Sequence, residues 1–153
     1  MPLAPDTVLF LCTGNYYRSR FAELLFNDLA ARTRLSWLAD SRGLAIELGA
    51  HNVGPMSRAA LAQLEALGVA VGREMRYPLQ ATADDFARAG HVVALKEAEH
   101  RPLLAERFPG WADRVEYWHI HDVDCCTAAE TLAGIEREVL ALAKRLRQAK
   151  NGT

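Results

Sequence analysis

The sequence has little of what marks secreted, membrane-spanning or nucleic-acid-binding proteins. It contains three cysteines and no basic leader before an apolar core, so we expect thiols rather than a disulfide framework, and a cytoplasmic location. No apolar run approaches the roughly 20 residues that span a bilayer, so no membrane partner is expected. The 18 basic and 19 acidic residues nearly cancel, so no nucleic acid partner is expected either. Without a repeat or a linker, the 153 residues are predicted to form one domain, residues 1–153.

What the chain does contain is an alternation of apolar strands and amphipathic helices. The first strand, Thr7–Leu11, is apolar on both faces, as in a central parallel strand. The alternation predicts an α/β fold, a three-layer sandwich with a four-stranded parallel sheet of order 2-1-3-4 and helices on both faces. Ligands of such folds bind at the carboxyl edge of the sheet. Further strands are predicted at residues 35–41, 91–95 and 115–120, and helices at about 18–31, 57–67, 83–88, 97–108 and beyond the capping residue Thr127.

The first strand leads directly into a loop that has the composition of an anion site. The strand is followed by Cys12, and a helical pattern opens at Arg18. Between them, Gly14 and Asn15 tolerate positive φ. Loop N–H groups and the helix N-terminus then face one concavity, and the same field favours a thiolate. A nucleophilic sulfur in a phosphate-sized nest predicts phosphoryl transfer through Cys12.

This loop resembles that of the low-molecular-weight protein tyrosine phosphatase family. The chain reads Cys12-Thr-Gly-Asn-Tyr-Tyr-Arg-Ser19, and the family loop reads Cys-x-Gly-Asn-x-Cys-Arg-Ser. The resemblance covers nearly the whole domain, because Ser41-Arg-Gly43 is similar to a Ser-Ala-Gly loop of the family and Pro55 precedes a matching helix. It implies a phosphatase that needs no cofactor.

The resemblance also implies roles for the loop residues. The Cys12 thiolate attacks phosphorus and forms a phosphocysteine. The Arg18 guanidinium and the loop N–H groups match the three equatorial oxygens of the transition state. The residues expected to bind substrate are Thr13, Gly14, Asn15, Tyr16, Tyr17, Arg18 and Ser19.

Three polar residues are expected to support this loop. Ser19 donates a hydrogen bond to the sulfur of Cys12, Asn15 holds the loop open from a left-handed conformation, and Ser41 bonds Asn15 or its loop. Tyr17 stands where many family members have a second loop cysteine. Tyr16 or Tyr17 is expected to line the cleft and to stack on an aromatic leaving group, with packing on the scaffold as the alternative for Tyr17.

The general acid is the point at which the chain departs from the family pattern. The family places its acid in an Asp-Pro pair near the C-terminus, and this chain has no such pair there. Asp122 lies four residues after Trp118, the spacing of the arsenate reductase branch. Asp124 matches the Asp-Pro position if the loop carries a deletion. Asp122 is preferred, and Asp124 remains the alternative.

The segment around these acids also contains potential metal ligands. His119 and His121 precede Asp122, and Cys125 and Cys126 follow it. The spacing matches no standard zinc site, so no metal is predicted. The two cysteines are expected to be structural thiols, with a transient link to the nucleophile as the alternative.

The expected function is hydrolysis of phosphotyrosine-like aryl phosphates. The partner is a phosphotyrosine protein or a small aryl phosphate, and inorganic phosphate is the product. One alternative is a thiol-coupled arsenate reductase, although residues 80–90, where that branch carries its relay pair, contain no cysteine. The other is a phosphate- or phosphoprotein-binding module without an acid. The sequence makes no prediction of the oligomeric state.

Overall fold

The computed structural model of the chain describes residues 6–72, 75–121 and 126–151. Short 3-10 turns lie at Ile46–Gly49 and Pro109–Trp111. Strands and helices alternate as predicted. In chain order they are β1 Asp6–Cys12, α1 Arg18–Thr33, β2 Trp37–Gly43, α2 Arg58–Ala66, α3 Ala83–Arg88, β3 His91–Ala94, α4 Glu97–Arg107, β4 Glu116–Tyr117 and α5 Ala128–Asn151.

The four strands form one parallel sheet of order β2-β1-β3-β4, which confirms the predicted topology. β1 is an inner strand, hydrogen-bonded to β2 on one side and to β3 on the other. Its last residue, Cys12, pairs with Gly43, and Leu11 pairs with Ala94. Cys12, the predicted nucleophile, therefore lies at the carboxyl edge of the sheet, beside the ends of two neighbouring strands.

Successive residues of β1 face two different hydrophobic cores. Val8 and Phe10 pack with residues of α1, α2 and α5 on one face of the sheet. Leu9 and Leu11 pack on the other face with residues of α3 and α4. This alternation is the period of a strand that is covered on both sides, and it confirms the predicted helices on both faces.

The predicted bounds of β4 and β2 differ most from the observed ones. β4 contains only Glu116 and Tyr117, although the pattern predicted a strand over 115–120. Beyond it, Trp118 N donates to the Ala94 carbonyl at 2.9 Å, and Ile120 N donates to the Leu95 carbonyl at 2.8 Å. The segment therefore follows β3 without forming a full ladder. β2 begins and ends two residues later than predicted, because its pairing with β1 continues as far as Gly43.

The helix caps agree with the sequence pattern. Thr82 and Asp85 form a reciprocal capping box at the start of α3. At α5, the Thr127 hydroxyl accepts from Glu130 N at 3.1 Å and donates to its carboxylate. Among the residues that the structure describes, no helix is both long enough and apolar enough to cross a bilayer.

Candidate active site

The nucleophile candidate is a buried thiol with a hydroxyl partner. Cys12 is 3% exposed, and its Sγ lies 2.9 Å from Ser19 Oγ. The Ser19 hydroxyl accepts a hydrogen bond from Asn15 Nδ2 at 2.9 Å. Since that bond occupies an acceptor site of Ser19, the single hydroxyl proton is available to donate to the sulfur. The contact expected between Ser19 and Cys12 is thus present.

The loop between Cys12 and α1 is held open by Asn15. Of the two residues expected to tolerate positive φ, Asn15 adopts it, at 51°, and Gly14 does not. The Asn15 side chain donates to Ser41 Oγ at 2.9 Å, as expected, and its Oδ1 accepts from Leu79 N at 3.1 Å. The amide is fully buried, so these bonds replace the hydration that it loses on folding.

Arg76 supports the loop from behind, and sequence reasoning missed it. Its Nη1 donates to Asn15 Oδ1 at 2.9 Å, and its Nη2 donates to the Ser41 carbonyl at 2.8 Å. The same Nη2 lies 3.3 Å from Glu23 Oε1, whose carboxylate also accepts from Ser41 Oγ at 2.5 Å. Burial raises the pKa of Glu23 above its usual value, against the opposing effect of Ser41 and Arg76. Arg76 lies between α2 and α3, within residues 69–80, where the sequence has no helix or strand pattern and so gave no indication of a contact with the loop.

A second arginine lies behind the loop. Arg20 is 3% exposed and donates to the Arg76 carbonyl at 2.8 Å, and its Nε lies 3.6 Å from Glu23 Oε1. Burial, and secondarily the neighbouring Arg76, lowers the pKa of Arg20. Two guanidinium groups therefore share one partly buried carboxylate, which adds positive charge close to the loop.

The guanidinium of Arg18 is fixed at both terminal nitrogens. Arg18 opens α1 and is 3% exposed. Its Nη1 donates to the Ile120 carbonyl at 3.3 Å, and its Nη2 donates to Glu99 Oε2 at 2.7 Å. These contacts join the loop of β1 to the segment after β4 and to the first turn of α4. The arginine is thereby held beside Cys12 and Thr13.

Glu99 is the second site residue that sequence reasoning missed. Its Oε2 also accepts from the Thr13 hydroxyl and lies 3.3 Å from His100 Nε2. Although burial acts in the opposite direction, donors from His100, Arg18 and Thr13 hold the pKa of Glu99 well below its usual range. Acidic residues in the first turn of a helix are ordinarily explained by the helix dipole, so the sequence gave no reason to choose Glu99 over Glu97.

An open cleft of about 340 Å³ leads to the Cys12 loop. Tyr16 donates from its hydroxyl to the Val53 carbonyl at 2.6 Å, which ties the loop to the opposite wall. Tyr17 lines the cleft and also packs partly against the core. Lining residues are Cys12, Thr13, Gly14, Tyr16, Tyr17, Arg18, Leu48, Gly49, His51, Asn52, Ser57, Ala59 and Glu99.

Both general acid candidates, Asp122 and Asp124, lie outside the described residues, as does Cys125. His119, His121 and Cys126 line a second cavity with Glu130 and Arg137. Within the described ranges, no group of three or more His, Cys, Asp or Glu side chains is arranged to hold a metal ion.

A four-stranded parallel sheet whose first strand ends in a cysteine loop of this kind is the arrangement that the sequence resemblance predicted. A model of the family described as low molecular weight phosphotyrosine protein phosphatase matches residues 7–151, and the chain belongs to this family. It is therefore an enzyme of the protein tyrosine phosphatase type. No curated protein sequence matches the chain significantly.

Solved structures share the fold over nearly the full chain. Vibrio vulnificus Wzb in complex with benzylphosphonate is 18% identical, with a TM-score of 0.75, over 92% of this chain and 99% of that one. The YwlE arginine phosphatase from Geobacillus stearothermophilus is 22% identical, with a TM-score of 0.75, over 97% of each chain. The low molecular weight protein tyrosine phosphatase SP-PTP from Streptococcus pyogenes is 18% identical, with a TM-score of 0.76, over 92% of this chain and 93% of its own. At these identities the likeness is one of fold.

Proposed function

We propose that the protein hydrolyses phosphotyrosine-like aryl phosphate monoesters through a phosphocysteine on Cys12. The observation that carries the proposal is the position of Cys12 Sγ at the end of β1, 2.9 Å from the Ser19 hydroxyl, in the lining of the cleft together with Arg18. A thiolate there can attack phosphorus, and the loop N–H groups of residues 13–18 with the Arg18 guanidinium bind the three phosphoryl oxygens.

The first step transfers the phosphoryl group to sulfur. An S–P bond forms, the P–O bond to the leaving group breaks, and the phenolate takes a proton from a carboxylic acid. Asp122 is our preferred acid and Asp124 the alternative. Connectivity supports both, because Ile120, whose carbonyl accepts from Arg18, is only two residues before Asp122 and four before Asp124.

The second step releases inorganic phosphate. The same carboxylate takes a proton from water, the water oxygen attacks phosphorus, and the S–P bond breaks. The Cys12 sulfur leaves as a thiolate, which the Ser19 hydroxyl stabilises by donating a hydrogen bond. Asn15 orients that hydroxyl through its own bond to Ser19 Oγ.

The rim of the cleft supports an aromatic leaving group. Tyr16, Tyr17 and the 61%-exposed Leu48 provide ring faces and apolar surface beside the loop. The Vibrio relative binds benzylphosphonate, which carries an aromatic ring next to a phosphate-like group. The Geobacillus relative is an arginine phosphatase, so a phosphoarginine peptide is the second substrate to test.

Steady-state kinetics on a series of aryl phosphates tests this function. We expect Cys12→Ser to abolish turnover, because the hydroxyl is a much poorer nucleophile. We expect Asp122→Asn to lower kcat/KM, which reports phosphoenzyme formation, by about 100-fold or more on poor leaving groups and much less on good ones, as loss of a general acid does.

Asp124→Asn is the matched control, and the reverse order of effects would move the acid to Asp124. Turnover only in a thioredoxin-coupled arsenate assay would support the reductase alternative. Phosphate binding by the wild-type protein without hydrolysis of any substrate would support the binding module.

A further inference from the structure

The contacts of Glu99 differ from those of an ordinary surface ion pair. A single oxygen, Oε2, accepts from Arg18 Nη2 at 2.7 Å and from the Thr13 hydroxyl, and it lies 3.3 Å from His100 Nε2. Arg18 is 3% exposed and His100 is fully buried, whereas the Glu99 side chain is 31% exposed and lines the cleft. The carboxylate thus connects the inner wall of the anion site with the interior of the protein.

His100 is held in one tautomer by the backbone. Its Nδ1 accepts a hydrogen bond from Lys96 N at 3.0 Å, so Nδ1 carries no proton. Burial lowers the pKa of His100, and the ring is therefore neutral with its proton on Nε2. This nitrogen lies 3.3 Å from Glu99 Oε2 but has no well-aligned hydrogen bond to Glu99 or to any other described residue. A buried N–H requires an acceptor, and a small shift of the Glu99 carboxylate would provide one.

The orientation of Arg18 follows from these contacts. A guanidinium presents its donors in a plane, and two tethers on different nitrogens fix that plane. Ile120 provides one tether and Glu99 provides the other. The Thr13 hydroxyl, at the start of the phosphate loop, is fixed by the same carboxylate oxygen.

We propose that Glu99 is a positioning residue for the phosphoryl-binding groups, and that neutral His100 holds Glu99 in place. Glu99 orients the Arg18 fork and the Thr13 end of the loop towards the transition state. Its negative charge also offsets part of the positive charge of the site, so that phosphate is bound less tightly than by an uncompensated arginine. This inference rests on the proposed phosphatase reaction, whose transition state the fork must match.

The proposal predicts that a change at Glu99 lowers kcat without weakening the binding of inorganic phosphate. Glu99→Gln keeps an acceptor of nearly the same shape but removes the charge. We expect kcat on an aryl phosphate to fall by about 10-fold or more, because hydrogen bonds to a charged acceptor are stronger than those to a neutral one. The inhibition constant of inorganic phosphate should stay equal or decrease, since the arginine is no longer neutralised. An ordinary packing defect would instead weaken both.

Glu97→Gln is the matched control. Glu97 lies in the same first turn of α4, but its carboxylate pairs with Arg101 at 3.0 Å on the outer surface. This variant should leave kcat and phosphate inhibition unchanged. An unchanged kcat in Glu99→Gln, or a parallel weakening of kcat and phosphate binding, would overturn the proposal.

A readout that does not need turnover separates this inference from the proposed function. The rate of alkylation of Cys12 by iodoacetamide at a fixed, mildly acidic pH reports its thiolate fraction. Removing a neighbouring negative charge favours the thiolate, so we expect that rate to rise by about threefold in Glu99→Gln. If no substrate is hydrolysed but the alkylation rate rises, the proposed function fails, while the influence of Glu99 on Cys12 stands. If turnover is normal and both alkylation and kcat match wild type, this inference fails alone.

His100 is tested with two amide substitutions of different length. A glutamine amide reaches the region of Nε2, so His100→Gln retains a donor for Glu99, whereas an asparagine amide reaches only the region of Nδ1. Both are expected to cost stability, which thermal unfolding measures. If Glu99 depends on His100, kcat should fall more in His100→Asn than in His100→Gln. Equal values of kcat in the two folded variants would remove His100 from the proposal.

Discussion

At the scale of single residues, Asn15 joins three parts of the chain through one amide. It bonds Ser19 in α1, Ser41 in β2, and Arg76 and Leu79 in the 69–80 segment. Its backbone adopts a left-handed conformation, which costs a residue with a β-carbon roughly 1 kcal/mol and which asparagine tolerates better than most. The side-chain bonds offset that cost, so conformation and hydrogen bonding at this position depend on each other.

We predict that Asn15→Gly and Asn15→Ala both lose most activity but differ in stability. Each removes the side chain that orients Ser19. Only Ala must adopt the left-handed conformation at a cost, so its free energy of unfolding should be lower than that of Gly by about 1 kcal/mol. Urea denaturation measures the difference. Equal stabilities would mean that the loop relaxes out of the left-handed region in the Ala variant.

At the scale of elements, the end of β2 lies against the loop that follows β1. Gly43 pairs with Cys12, and a β-carbon on it would lie 2.5 Å from Ile46 Cγ2 and 2.9 Å from the Thr13 carbonyl oxygen. The backbone of the phosphate loop leaves no space for a side chain here. The glycine is required by a close approach of two backbones rather than by an unusual φ.

We predict that Gly43→Ala lowers both stability and kcat. The added methyl group must displace the Thr13 carbonyl or Ile46, and overpacking of this kind costs about 1–3 kcal/mol. Gly110→Ala is the control, because a β-carbon at Gly110 meets no atom within 4 Å. Thermal unfolding and aryl phosphate kinetics of both variants test the prediction. Normal kinetics in Gly43→Ala would show that the loop tolerates a shift at Thr13.

At the scale of the whole molecule, the sheet topology could be predicted from sequence and the supporting contacts of the site could not. The apolar run before Cys12 and the Gly14-Asn15 turn are local signals, and they correctly indicated β1 and its loop. Glu99 and Arg76 contact the loop across 81 and 61 residues of sequence. Such contacts depend on how α4 and the 69–80 segment pack, and no periodicity encodes that. β4 was predicted too long because apolar residues continue beyond the two that pair with β3.

One ion-pair cluster connects distant parts of the molecule and makes stability depend on pH. Glu116 of β4 accepts from His91 of β3, from Arg145 of α5 and from Trp118. Although burial opposes them, these donors hold the pKa of Glu116 well below its usual value of 4.5. A depressed folded-state pKa adds stability at pH above the unfolded pKa, and that stability is lost as the pH falls.

We predict that Glu116→Gln destabilises the protein by about 1.5–3 kcal/mol at neutral pH, the range for hydrogen bonds to charged groups. The difference from wild type should shrink as the pH falls below about 4.5, where the unfolded chain binds a proton first. Urea unfolding at several pH values measures it. Glu65→Gln, on the exposed side of α2, should show no such trend. A difference that is constant with pH would assign the effect to packing instead.

Because Cys12, the proposed nucleophile, ends an inner strand, we expect phosphatase activity to report whether the whole fold is intact. β1 is bonded on both sides and contributes to the cores on both faces, so its end cannot be released without breaking the sheet. A partly denatured sample should therefore be a mixture of fully active and inactive molecules rather than a population of slowed ones. Residual specific activity would then serve as a direct count of native protein.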